Sequence, residues 1–400
     1  MTPTDDLAPA PRDHWLLDPA VTFLNHGSFG ACPRVVLEHQ AALRAELERQ
    51  PVRFFLRSLQ PRLDAARAAV AGFVDADVEG FAFVRNASAG VNAVLRSLAF
   101  APGDEILVTD QGYGACTLAA EYVAQRAEAR VVTVKLPFDG ITPEGVIDAI
   151  MAAVSDRTRL ALVDHVTSPT GLVFPIDAIV AALDARGVDT LVDGAHAPGM
   201  VPLSVRAIGA AYYTANLHKW TCAPKGAGFL AVRGDRVDGI VPTSVSHGHG
   251  FSTALAKRSR YHLEFDWTGT DDPTPWLCAP VAIDAIGGMH PDGWRGWMAR
   301  NRALALWGRA LLAEALGVGL PCPASMIGSL AALPLPDAKH GPPSSPLYTS
   351  PLQDALGAAG IEVPIVPWPA HPRRLVRFSA AHYTTREELR RLAAALPALI

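Results

Sequence analysis

The chain has 400 residues, of which 18% are charged and 50% belong to the apolar and aromatic set. That length, roughly two to three times a usual domain, predicts a large α/β unit with a smaller domain attached, and the apolar fraction excludes a disordered chain. A total of 35 Lys and Arg against 39 Asp and Glu leaves a net charge of −4, which offers no electrostatic footprint for nucleic acid or an anionic membrane.

The five cysteines, at 32, 116, 222, 278 and 322, are odd in number and widely spaced. They fit neither a disulfide framework nor a CxxC zinc site and predict a reducing cytoplasm. Residues 1–19 are acidic and proline-bearing where a signal peptide would be basic and then apolar. The uncharged run 315–336 is interrupted by Pro321, Pro323, Pro334 and Pro336 and by Gly317, Gly319 and Gly328, so it predicts helix end, loop and short strand in place of a membrane span. A soluble cytoplasmic protein is expected.

After a polar arm, residues 33–50 predict an amphipathic helix, and Leu63, Ala66, Val70 and Phe73 repeat at helical spacing in the next segment. Short apolar runs then recur at 81–84, 105–108, 131–134, 160–163, 190–192 and 229–232, separated by helical stretches or glycine-rich turns. This alternation predicts a mostly parallel sheet covered by helices on both faces, with ligands beyond the carboxyl ends of its strands. The last third predicts a long helix over 295–316, proline-rich loops, a helix capped by Gly360, and strands at 361–366 and 375–378. Thr384-Thr385-Arg386-Glu387 opens a final helix as a capping box. That composition reads as a separate α+β domain, and no internal repeat is visible.

The residues after the strands carry the chemistry. Asp193 follows 190–192 and either holds a cationic ring nitrogen at the ligand edge or caps a helix. Lys219 stands between His218 and Trp220 ahead of the glycine-rich turn Gly226-Ala227-Gly228, an unusual setting for a solvated surface lysine. Asn86-Ala87-Ser88-Ala89-Gly90 lies between a strand and a helical pattern, where free N–H groups and the helix dipole favour an anion. Gly226-Ala227-Gly228-Phe229-Leu230-Ala231 mimics a dinucleotide fingerprint but leads into a strand instead of opening a helix. His247-Gly248-His249-Gly250 lacks the companions of a metal site and predicts a glycine-hinged mobile loop at the substrate entrance; no metal is expected.

In order along the chain, Asn25-His26-Gly27-Ser28-Phe29-Gly30, Asn86-Ala87-Ser88-Ala89-Gly90-Val91-Asn92, His165-Val166-Thr167-Ser168-Pro169-Thr170-Gly171, Asp193-Gly194-Ala195-His196-Ala197-Pro198-Gly199, His218-Lys219-Trp220, Gly269-Thr270-Asp271-Asp272 and Val376-Arg377-Phe378-Ser379-Ala380 resemble the class V aminotransferase family of fold-type I pyridoxal-phosphate enzymes. Within it they are most similar to the isopenicillin N epimerase-like branch. The resemblance implies a seven-stranded, mostly parallel large domain over 25–275, a smaller α+β domain over 276–400, and an arm over 1–24 packing near the small domain. It implies pyridoxal 5'-phosphate as cofactor. Lys219 would condense with the cofactor aldehyde and move the α-proton, and Asp193 would keep the pyridine nitrogen protonated. His196 and Ser168 would lie near the phenolic oxygen, and Tyr113 would stack on the ring or serve as an ordinary packed tyrosine. Ser88, with the backbone of Ala89 and Gly90, would hold the phosphate, helped by Asn216 and His218. Thr270 is either a turn threonine or the contribution of a neighbouring subunit, which implies a homodimer with a shared active site. Arg377 would grip the substrate α-carboxylate bidentately, with Asn25 and His26 also on the substrate side.

Three reactions at the α-carbon of an amino-acid-type substrate fit these residues. Epimerisation needs proton donors on both faces, Lys219 on one and Tyr113, a histidine or a water on the other. A carbon–sulfur β-lyase on a cysteine conjugate needs proton removal and a leaving group, and an aminotransferase needs a second substrate; an idle cofactor-binding fold is a remote fourth reading. Residues 360–377 hold no cysteine, which disfavours persulfide-forming desulfuration. Asp271 stands where the branch commonly has Arg, so the resemblance leaves the substrate open.

Overall fold

Residues 7–342, 344–345 and 349–400 are described by the computed structural model, so residues 1–6 of the expected arm lie outside the described residues. The chain enters through β1 (Thr22–Phe23), and the apolar runs that follow become β2 (Phe81–Val84), β3 (Glu105–Thr109), β4 (Arg130–Val134), β5 (Thr158–Asp164), β6 (Asp189–Asp193), β7 (Tyr212–Asn216) and β8 (Gly228–Val232). Strands β2 to β8 form one seven-stranded sheet in the order β2-β8-β7-β6-β5-β3-β4. Pairing is parallel from β7 across to β4, whereas β8 runs antiparallel to both its neighbours. Alternate residues feed two apolar layers: Leu107, Ala161, Val163 and Val192 pack on one side and Ile106, Val108, Leu160, Leu162 and Leu191 on the other. Burial on both faces explains why these strands read as continuous apolar runs.

Strand β7 is the one the hydrophobic pattern does not announce. Its sequence, Tyr212-Tyr213-Thr214-Ala215-Asn216, is largely polar yet wholly buried. The polar atoms find internal partners: the Tyr213 hydroxyl lies 2.9 Å from His165 Nδ1, and Thr214 Oγ1 donates to the Phe229 carbonyl at 2.8 Å.

Sheet order fixes where a ligand can sit. From β3 the chain moves outward to β4, then crosses back to β5 and continues through β6 to β7. Connections therefore diverge between β3 and β5, opening a crevice at their carboxyl ends, the usual ligand position in such sheets.

The C-terminal third adds β9 (Leu330–Leu335), β10 (Ile361–Glu362), β11 (Ile365–Pro367) and β12 (Arg374–Ser379). Strands β11, β12 and β9 form an antiparallel sheet, covered by the helices Gly293–Leu316 and Arg386–Leu399. The expected strand 361–366 is instead two strands in two sheets. Pro364 lies between them and lacks the N–H a ladder needs; β10 pairs parallel with β1, and β11 pairs with β12. The capping box falls one residue later than the sequence suggests, on Thr385 and Glu388, because the Thr384 hydroxyl already accepts from the Ala381 N–H at 3.0 Å. Gly360, at φ +73°, follows the helix Pro351–Ala358 in the left-handed conformation expected of a C-terminal glycine. The N-terminal segment is stitched to this region: the Ser379 N–H donates to the Leu24 carbonyl at 2.8 Å, and the Gly27 N–H donates to Ser379 Oγ at 2.9 Å. Among the described residues no helix is long and apolar enough to cross a membrane.

Candidate active site

A cavity of about 370 Å³ opens at the carboxyl edge of the large sheet, between it and β12. Strand ends supply its floor. Asp164 and Asp193 close β5 and β6 and are direct neighbours in register, so two buried carboxylates stand side by side. Asp193 accepts hydrogen bonds from the Ala195 N–H at 3.0 Å and the Cys116 thiol at 3.2 Å. Burial raises the pKa of both carboxyls, and the Asp193 charge pushes Asp164 further, well above the ordinary carboxylate range. Asp164 is thus the member of the pair that keeps its proton, while Asp193 has Lys219 and its two donors to support an anion.

Lys219 follows β7 and is enclosed in the cavity wall. Burial pushes its amine down to about 8, against the pull of Asp193. Its Nζ lies 3.0 Å from His196 Nε2, and the Trp220 indole donates to His196 Nδ1 at 3.2 Å. Burial first, then the Lys219 and Arg377 charges, holds His196 well below its ordinary pKa. Arg377, delivered by β12, donates from Nη2 to Ser28 Oγ at 2.8 Å and from Nη1 to the Ser168 carbonyl; its Nε is buried without a partner. Burial lowers even this guanidinium to about 10.

The remaining wall is the start of the helix Ala87–Ser97. Asn86 caps it, accepting the Ala89 N–H at 2.9 Å, and Asn216 Oδ1 accepts the Ala87 N–H at 2.8 Å. His218 donates from Nδ1 to the Ala227 carbonyl at 2.8 Å; burial lowers it to about 4, so the ring is neutral with Nε2 free as an acceptor. Ser88 faces the cavity beside them.

Lys219, Asp193, His196, Ser88, Ser168, Tyr113, Asn216, His218 and Arg377 therefore converge on one cavity, as the sequence motifs suggest. Five expected site residues lie elsewhere. Asn25 and His26 sit behind the wall: Asn25 Nδ2 donates to Glu362 Oε1 at 3.1 Å, and His26 bonds the Lys219 carbonyl at 3.0 Å and the Tyr383 hydroxyl at 2.8 Å. Ala89 and Gly90 are not in the wall, and their N–H groups are turned onto Asn86. A Cβ on Gly90 would meet Thr214 Oγ1 at 2.1 Å, so this glycine answers to close packing on β7. Thr270 lines a separate cleft of about 140 Å³ with Thr243, Arg85 and Asp271, the last two ion-paired at 2.6 Å. The loop at His247-His249 does not reach the cavity in this chain; His249 Nδ1 instead lies 3.0 Å from Glu264 Oε1. Ser28, Phe29, Asp164 and Ala195 join the wall unannounced. A signal for Asp164 was present, since it ends an apolar run one residue ahead of the His165 motif.

The family model for aminotransferase class-V matches residues 34–262. The chain belongs to the class-V aminotransferase family. Isopenicillin N epimerase from Streptomyces clavuligerus is 36% identical over 399 residues, covering 97% of each chain. A putative L-cysteine desulfhydrase from Oryza sativa subsp. japonica is 35% identical over 334 residues, 79% of this chain and 67% of its own length. Among solved structures, the cystine C-S lyase C-DES, in complex with its reaction product cysteine persulfide, superposes with a TM-score of 0.79 at 22% identity, covering 95% of this chain and 98% of its own. The fold is accordingly the fold-type I arrangement of pyridoxal-phosphate enzymes.

The cofactor of this class-V chain is pyridoxal 5'-phosphate. The cavity fits it on its own chemistry: an amine with a depressed pKa, a buried carboxylate held by two donors, and a helix N-terminus lie around one space.

Proposed function

We propose that the protein acts at the α-carbon of an amino acid or amino-acid-derived substrate as an epimerase. The observation that carries the reading is Lys219, enclosed in a cavity that also holds Asp193, Tyr113 and the Arg377 guanidinium. When bound, the cofactor supplies an electron sink for the charge left by a departing α-proton. Lys219 would provide the amine that holds the cofactor and would carry the α-proton at Nζ, and its lowered pKa makes a neutral amine accessible near pH 8. Asp193, as an anion, would hold the cofactor's ring nitrogen in its protonated form. Arg377 holds the substrate carboxylate, its fork already aimed by Ser28 and Ser168. Tyr113, half-exposed at the cavity mouth, is the acid for the face opposite Lys219.

Phosphate belongs at Ser88 and the start of the helix Ala87–Ser97. An anion reaching the Ala89 N–H replaces the Asn86 amide oxygen there, one acceptor for another. Contact with His218 Nε2 requires that ring to take up a proton, which a phosphate dianion favours. In the same proposal the protein is a cytoplasmic homodimer, its division near residue 275 separates cofactor sheet from carboxylate-binding domain, and Thr270 completes the partner's phosphate site.

The likeness to L-cysteine desulfhydrases supports a second reading, a carbon–sulfur β-lyase that works without a cysteine nucleophile, since all five thiols are buried and none lines the cavity. One experiment separates the readings: incubation of the purified protein with L- and D-amino acids and cysteine conjugates in deuterated water. Deuterium at the α-carbon with loss of chirality supports the epimerase; a keto acid with ammonia and a thiol selects the lyase; a keto acid with pyridoxamine phosphate selects an aminotransferase. A wild-type protein that stays colourless with added cofactor, or a Lys219→Ala variant with unchanged visible absorption, sinks the whole reading.

A further inference from the structure

The backbone at Lys219-Trp220 is clamped from two sides. His26 bonds the Lys219 carbonyl at 3.0 Å, and because a carbonyl only accepts, His26 carries its proton on Nε2 and receives the Tyr383 hydroxyl at Nδ1. On the other side Gly199, at φ +81°, lies so close that a Cβ would stand 2.8 Å from the Trp220 carbonyl. The Trp220 side chain is fully buried between these supports, its ring 4.9 Å from that of His26. Its indole N–H therefore has a fixed direction, and it points at His196 Nδ1.

An indole nitrogen is only a donor, so the Nδ1 it faces must present a lone pair. His196 is buried, with Lys219, Arg377 and His26 as its charged or titratable neighbours, and none of them favours an imidazolium. A neutral ring with a lone pair on Nδ1 has its proton on Nε2, the atom 3.0 Å from Lys219 Nζ. We propose that Trp220 is a positioning residue that locks His196 in the Nε2–H tautomer, so that His196 presents a hydrogen-bond donor, never a base, to the Lys219 amine.

Two consequences follow for the reaction. A neutral Lys219 can accept that hydrogen bond, whereas an ammonium would set donor against donor; the locked tautomer works with burial and the Arg377 charge to keep the amine unprotonated, while the Asp193 anion works the other way. His196 is also removed from the candidates for the second acid or base, because Nε2 has no lone pair to take a proton and a neutral imidazole is too weak an acid to give one, which leaves the face opposite Lys219 to Tyr113 or a water.

The role toward the amine rests on the cofactor reading above, but the tautomer itself is measurable without cofactor. In histidine-selective ¹⁵N-labelled protein, with and without pyridoxal 5'-phosphate, the His196 resonances are those lost in His196→Gln. The expected wild-type pattern is a protonated Nε2 and an unprotonated Nδ1 at neutral pH, converting in Trp220→Phe to a mixture of tautomers. In the same variant, freed to turn an acceptor toward the ammonium, the Lys219 amine should hold its proton to higher pH, and the pH midpoint of cofactor uptake should move upward from that of the wild type. A proton on Nδ1 in the wild type, or an unchanged tautomer and midpoint in Trp220→Phe, overturns the proposal. Should that variant fail to fold, His196→Gln carries the second measurement, since its amide can turn its oxygen to the ammonium; an unmoved midpoint there also overturns it. A protein that stays colourless at every pH defeats the cofactor reading, and the cofactor-free resonances still decide the tautomer.

Discussion

Residues in this cavity differ in what their burial does to them, and the two carboxylates show it best. Asp164 and Asp193 share the end of the sheet and both feel Lys219, yet Asp193 has the Ala195 N–H and the Cys116 thiol to steady a negative charge, while Asp164, with support from the Tyr113 and Ser168 backbone, has the Asp193 charge against it. Neutral Asp164 resembles an amide in shape and charge, so Asp164→Asn should bind cofactor with the wild-type visible spectrum, whereas Asp193→Asn should bind it and lose turnover. A stability test follows with a definite sign. A carboxyl whose folded pKa is raised binds more protons folded than unfolded, so its contribution falls as pH rises above the ordinary carboxylate value. In urea unfolding of the cofactor-free protein, Asp164→Asn should gain on the wild type between pH 4 and pH 7. A constant difference across that range would show that Asp164 is ionised in the fold.

The helix Ala87–Ser97 and the strand β7 show the element-scale constraint that sets the phosphate end of the site. Gly90 faces Thr214, and an added Cβ would lie 2.1 Å from Oγ1 and 2.7 Å from Cβ of that threonine. Gly90→Ala must therefore push the helix start off the sheet. Overpacking of this kind costs roughly 1–3 kcal/mol, and here it also displaces Ser88 from the cavity. The variant should lose thermal stability and release cofactor more readily on dialysis; retention equal to wild type would show that Ser88 does not hold the phosphate.

Elements such as these also mark how far the sequence was legible. Strands β3, β5 and β6 were visible because burial on both faces demands unbroken apolar runs, and the helix Gly293–Leu316 because its pattern is long. Strand β7 was invisible because Tyr213 and Thr214 find their side-chain partners in His165 and in the Phe229 and Ala87 carbonyls, which the local sequence does not announce. In the site, Lys219, Asp193 and Arg377 stood out through motif order. Asn25 and His26 belong to a true motif, but that motif carries both the inward-facing Ser28 and the residues that brace the Lys219 backbone, and spacing alone does not separate the two tasks.

For the whole molecule, the placement of Thr270 is the informative fact. Within one chain it lines a cleft apart from the cavity, beside the Arg85–Asp271 pair and next to Ala89 on the helix whose N-terminus faces the proposed phosphate. In the homodimer proposed above, a residue in that position would complete the phosphate site of the other subunit across a two-fold contact, where each chain lends the same patch to the other. Mixed dimers test this directly. A Lys219→Ala chain cannot form the coloured complex in its own site but can still lend Thr270, and a Thr270→Ala chain keeps its lysine but lends nothing. Pairing the two leaves one site with both defects and one with neither. Random mixing of equal amounts makes about half the dimers mixed, so about one quarter of all sites should regain the tight, visibly absorbing cofactor complex that each parent lacks. The recovered fraction is read by visible absorbance after gel filtration at a cofactor concentration where both parents are colourless. Absence of recovery, with mixed dimers verified by a size-tagged chain, would place Thr270 in the service of its own chain and make each active site complete within one subunit.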